Sequence, residues 1–155
     1  MPPLSDRDRS RAHTDAELRM TLSAELAAPS LARERLSRWL AGHRWPAGQR
    51  DDLILAVSEA VSNSVEHGYG VDHGAVVERG GPVEVHGIVV AEPDGRRRAV
   101  LTVVDRGSWL PPSAFRGNRR HGLPLMEACV ETLTVDGTDG GTTVVLRSRA
   151  VPPPA

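Results

Sequence analysis

The spacing of hydrophobic positions changes period several times along the chain. Thr21-Leu-Ser-Ala-Glu-Leu26 alternates apolar and polar residues, which predicts a strand with one buried face. Pro29 then stands where a first helical residue is favoured. Leu31, Leu36, Trp39 and Leu40 recur at helical spacing, while Arg33, Glu34, Arg35 and Arg38 fall on the other side. The pattern predicts a helix over 29–41, broken by Gly42 and Pro46. A longer helix is expected from Ala47 to His67, stopping at Gly68. Residues 71–82 are Gly-rich and weakly patterned, as in a loop. Val83, Val85, Val100, Thr102 and Val104 keep a period of two in strands over 82–91 and 98–105, joined by the turn-forming Glu92-Pro-Asp-Gly95. After a polar, Pro- and Gly-containing stretch over 106–121, a third helix is expected over 122–131. Strands over 132–136 and 142–149 then flank Gly137-Thr-Asp-Gly-Gly141. Together these elements predict an α+β two-layer sandwich: a mostly antiparallel sheet with about three helices on one face.

The long helix has an unusual second face. At about 100° per residue, Leu53, Ile54, Val57, Ala60, Val61 and Ser64 share one side, and Leu55, Ala56, Glu59, Ser62, Asn63 and His67 the other. That other side begins apolar and turns polar halfway along, as expected of a helix whose C-terminal half lines a polar cleft. Glu59 and Asn63, four apart, point into the same cleft. A carboxylate there can act as a general base, and an amide oxygen can bind a hard cation such as Mg²⁺, which needs only one or two protein oxygens.

Composition narrows the chemistry. The chain has 155 residues, enough for one domain with one core, and its net charge of −1 gives no basic field for nucleic acid or an anionic membrane. All 19 positive residues are Arg. The absence of Lys excludes a P-loop and the strand-borne Lys of the common protein-kinase site. The single Cys129 cannot form an internal disulfide, and no apolar run is long enough to span a bilayer, so the cytoplasm is the expected location. Residues 1–20 are rich in Asp, Arg and Ser and read as a tail; 21–150 form the domain, and the proline-rich 151–155 an extended end.

Three further segments carry candidate chemistry. Val103-Val-Asp-Arg-Gly107 puts Asp105 at the end of an apolar strand beside a glycine, where its carboxylate can accept a hydrogen bond from an exocyclic amine such as that of adenine. Arg119-Arg-His-Gly-Leu-Pro-Leu-Met126 offers positive charge and backbone N–H groups at a helix start, suited to phosphates. Gly140-Gly-Thr-Thr-Val-Val-Leu146 is a Gly-Thr entry into the last strand.

In this order, the segments resemble the GHKL (Bergerat-fold) ATP-binding superfamily, and within it the bacterial anti-sigma-factor serine/threonine kinases of actinobacterial type. The N-box of that group resembles Ala56-Val-Ser-Glu-Ala-Val-Ser-Asn-Ser-Val-Glu-His-Gly-Tyr69. Its glycine boxes resemble Asp105-Arg-Gly107, His121-Gly-Leu-Pro-Leu125 and Gly141-Thr-Thr143. The resemblance implies ATP and Mg²⁺ as cofactors, Glu59 as general base and Asn63 as metal ligand. It implies that Asp105 meets the adenine amino group with Thr142 or Thr143 assisting. Gly107 and Gly122 would let the backbone approach the nucleotide, and residues 106–121 would form a lid, with Arg120, His121 and Leu123 beside the cofactor. Arg33 matches the family's partner-contacting Arg. Two departures stand out: Asp105-Arg-Gly-Ser-Trp109 lacks a second glycine, and Arg120 replaces the first glycine of Gly-x-Gly-Leu. The implied activity is phosphorylation of an anti-anti-sigma partner coupled to sequestration of a sigma factor, in a chain that the family suggests is a homodimer. A catalytically weak module acting by binding alone is the alternative. A sensor histidine kinase core fits less well, because His13 lies in a segment without apolar periodicity.

Overall fold

Alternation with a period of two builds one five-stranded antiparallel sheet, seen in a computed structural model that describes residues 16–68, 81–107, 122–138 and 140–154. Its strands are β1 (Glu17–Ser23), β2 (Pro82–Ala91), β3 (Arg97–Asp105), β4 (Thr132–Thr138) and β5 (Gly141–Arg147), in the order β1-β2-β3-β5-β4. The register lines up Leu18, Gly87, Leu101, Leu146 and Leu133 across the sheet. The next row on that face is Met20, Val85, Val103, Val144 and Val135. Most of these are buried in one hydrophobic core.

Three helices cover that face: α1 (Ala28–Gly42), α2 (Ala47–Asn63) and α3 (Gly122–Cys129). The result is the α+β sandwich that the hydrophobic periods predict. Leu36, Trp39 and Leu40 form the buried stripe of α1, and Pro29 lies in its first turn. The helix ends without glycine in the left-handed position; Arg44 takes it instead, at φ 54°. Trp39 lies over Gly87, where an added Cβ would come within 3.2 Å of the indole and 2.9 Å of Leu101. A glycine in mid-strand is what allows the helix layer to approach so closely.

The β2–β3 hairpin closes through Glu92-Pro-Asp-Gly95 as expected, with Gly95 N–H donating to the Glu92 carbonyl and Gly95 at φ 90°. Two boundaries differ from the sequence pattern. β1 begins at Glu17, because Leu18 and Met20 are buried on the covered face while Glu17 and Arg19 point away from it. The long helix changes character before it ends: α2 stops at Asn63, and Ser64–Gly68 form a π-helical turn.

Candidate active site

The alternation that buries Leu101 and Val103 also turns Asp105, the last residue of β3, toward the helices. Its side chain is only 4% exposed. Burial of a carboxylate costs free energy unless donors surround it. Here three donors do so: the Ser64 hydroxyl, the Gly107 N–H at 3.0 Å from Oδ1, and the Thr142 backbone N–H. Burial pushes the Asp105 pKa above the ordinary carboxylate value, and the three hydrogen bonds offset part of that rise.

Each donor is placed by the fold. Ser64 opens the π-helical turn, in which the wider backbone spiral seats Ser64 and Val65, both buried, in succession. Gly107 follows Asp105 directly as the chain leaves the sheet. Thr142 pairs with Asp105 across the ladder. Gly141 makes that approach possible, because at φ 144° a Cβ would fall 2.1 Å from the Asp105 carbonyl oxygen.

Glu59 and Asn63 lie one helical turn apart on α2, and both are half-buried. Asn63 immediately precedes Ser64, so the amide that could hold a cation and the hydroxyl that holds Asp105 come from adjacent residues. The donor set suits Mg²⁺, which accepts one amide oxygen and completes its shell with phosphate oxygens and water. The apolar stripe of α2 is buried as expected, but Ala56, expected on the polar side, is fully buried and Leu55 is 41% exposed. α1 and α3 both pack against α2, which leaves a narrower open sector than a surface helix has.

The remaining candidates divide. Thr142 and Thr143 occupy opposite faces of β5 by strand alternation. Thr142 stands opposite Asp105 on the covered face, whereas Thr143 stands opposite Val104 and faces away. This geometry separates the pair: Thr142 is beside Asp105 and Thr143 is not. Gly122 is the first residue of α3, and Leu123 packs partly against the core. Arg120 and His121, and the rest of the expected lid from 108 onward, lie outside the described residues, as does most of the Gly-rich segment over 71–82. A groove of about 410 Å³ lies elsewhere, along β1 and β2 among Arg19, Thr21, Glu84 and His86, and involves none of these residues.

Arg33 is an exposed residue of α1, yet it is held in place. Its guanidinium donates to Ser58 Oγ at 2.8 Å and to Ser30 Oγ at 2.9 Å, and Ser58 is a buried residue next to Glu59. Sequence patterning missed Ser58, Ser64 and Gly141 as contributors. For Ser64 a signal existed, since a hydroxyl on the apolar stripe of a helix needs a buried partner.

The comparisons with known proteins agree with this arrangement. The model of a family described as the histidine kinase-like ATPase domain matches residues 22–148. Among solved structures, the chain is similar to the RsbU and RsbW domains of Rv1364c from Mycobacterium tuberculosis, with 33% sequence identity and a TM-score of 0.63. That match covers 88% of this chain and 33% of the other, so this chain spans about a third of the length of its mycobacterial relative. The fold is also similar to one in the SiaB-SiaC complex from Pseudomonas aeruginosa, at 12% identity and a TM-score of 0.50, covering 97% of this chain and 99% of that one.

Proposed function

The chain belongs to the histidine kinase-like ATPase domain family, and from that premise we propose that it binds ATP with Mg²⁺ and acts as an anti-sigma regulatory factor. In this reading it is a serine/threonine protein kinase for an anti-anti-sigma partner and also holds a sigma factor. The observation that carries the nucleotide part is Asp105: a buried carboxylate ringed by donors, at the strand end nearest Asn63. A carboxylate so held accepts a proton-bearing exocyclic amine, which adenine supplies. The similarity to the RsbW-containing protein supports the partner class.

The residues take distinct roles. Asp105 and Thr142 orient the base, and Gly107 leaves room for it. Asn63 would hold Mg²⁺, whose chemistry is to neutralise charge on the phosphates. Glu59, one turn away, takes the proton of the attacking Ser or Thr hydroxyl. Arg33, fixed by Ser58, presents a positive charge to a partner protein beside that base. Arg120, His121, Gly122 and Leu123 belong to the lid side of the same site.

The test is calorimetry with Mg-ATP on the wild type, Asn63→Ala and Glu59→Gln. Asn63→Ala is expected to lose at least about tenfold in Mg-dependent affinity. Glu59→Gln is expected to keep affinity but lose about a hundredfold or more in phosphate transfer to the partner. Absence of binding by the wild type at millimolar nucleotide would eliminate the kinase reading. It would favour a module that regulates by binding alone, which the replaced glycines at Trp109 and Arg120 support.

A further inference from the structure

The base-facing carboxylate is not free to play either hydrogen-bonding role. An ionised carboxylate only accepts, whereas a protonated one can also donate. A pocket built on the first form selects a purine with an amine at its 6-position; the second form also admits a keto oxygen there. Which form prevails depends on what surrounds Asp105. Gly107 N–H and Thr142 N–H are backbone groups that any sequence would supply in this fold. The third donor is the Ser64 hydroxyl, the one side-chain choice among the three. Ser64 is itself 5% exposed, on the stripe of α2 that is otherwise apolar, and its position is set by the π-helical turn.

We infer that Ser64 is a positioning residue that sets base specificity: its hydroxyl donates to Asp105, commits that carboxylate to accepting, and so makes the site take a 6-amino purine and refuse a 6-keto one. This rests on the nucleotide reading above. Burial works against the committed state by raising the Asp105 pKa, and Ser64 is the foremost of the hydrogen bonds that counter it. With the hydroxyl removed, the carboxylate keeps its depth and its two backbone donors. It loses the bond that holds it in one orientation and one charge state.

The probes are ATP and inosine triphosphate, which share ribose and phosphates and differ at the 6-position and its neighbouring ring nitrogen. Binding is measured by calorimetry on the full chain, with melting curves to verify folding. The wild type should prefer ATP. Ser64→Ala should shrink the ratio of ATP to inosine triphosphate affinity by about tenfold, the scale of one hydrogen bond to a charged group. Ser64→Cys, nearly isosteric but a weak donor, should shrink it similarly while preserving packing. An unchanged ratio in both variants overturns the inference, as does an equal loss for both nucleotides, which would make Ser64 a packing residue only. If the wild type binds neither nucleotide, the parent reading fails, and this inference with it. If the wild type binds ATP and the variants keep its selectivity, this inference fails alone.

Discussion

Asp105 pits solvation against function at a single side chain. Its folded-state pKa is raised by burial, so the folded chain binds a proton more readily than the unfolded one. The sign follows: the contribution to stability is fully present below the ordinary Asp range and is lost as pH rises through the elevated folded value. Relative to Asp105→Asn, the wild type is therefore expected to lose stability with rising pH across that window, as read by urea denaturation at several pH values. A difference that grows in the opposite direction would contradict a desolvated carboxylate. Glu17, Asp94 and Glu131 are shifted the other way, chiefly by hydrogen bonds to Arg19, Arg96 and Arg98, but they are present in both chains and cancel. Asp105 was legible in the sequence because strand alternation and a following glycine marked it. Its donors were less legible. Two are backbone groups, and Ser64 sat in the apolar register where serine passes for a small core residue.

Among elements, the β2–β3 hairpin and the helices were the most legible, since each carries its own period and punctuation. β1 was less so. Leu18 and Met20 are buried, but Asp15, Glu17 and Arg19 around them make the composition look like that of a solvated tail. The polar face of α2 was read correctly at Glu59 and Asn63 as half-buried, and imperfectly at Ala56, because a helical wheel cannot show that neighbouring helices press on two sides. The contact between α1 and β2 provides a stability test. Gly87→Ala would place a methyl 2.9 Å from Leu101 and 3.2 Å from Trp39 in a region with no slack. We expect a loss of about 1–3 kcal/mol in chemical denaturation. A loss below about 0.5 kcal/mol would mean that the helix layer can lift away from the sheet, since ordinary surface changes fall in that range.

Across the whole molecule, one seam joins distant parts of the chain. Val151 is fully buried and pairs with Arg97 through two backbone hydrogen bonds of 2.8 Å. The Arg97 side chain runs over Trp45 at 4.9 Å and donates to the His43 carbonyl at 2.6 Å. The end of the domain, the start of β3 and the link between α1 and α2 are thus fastened at one point, on the opposite end of β3 from Asp105. Val151→Ala should cost about 2 kcal/mol, measured by thermal or urea unfolding, while nucleotide affinity stays at the wild-type value. Loss of affinity at unchanged stability would show that the seam and the site are coupled. Proline-rich composition around Val151 made this residue read as an extended end, because burial that depends on a partner far away in the chain leaves no local period to detect.

The π-helical turn at Ser64–Gly68 has a bearing on how this chain can vary. A π turn houses one residue more than an α turn over the same rise. Excising a single residue there would let the spiral relax into a regular helix with little local penalty. The side chain after Asn63 would then swing roughly 100° around the axis, away from the strand end it now serves. Chain length in this short stretch, more than any one letter of it, governs whether a hydroxyl arrives at the carboxylate at all.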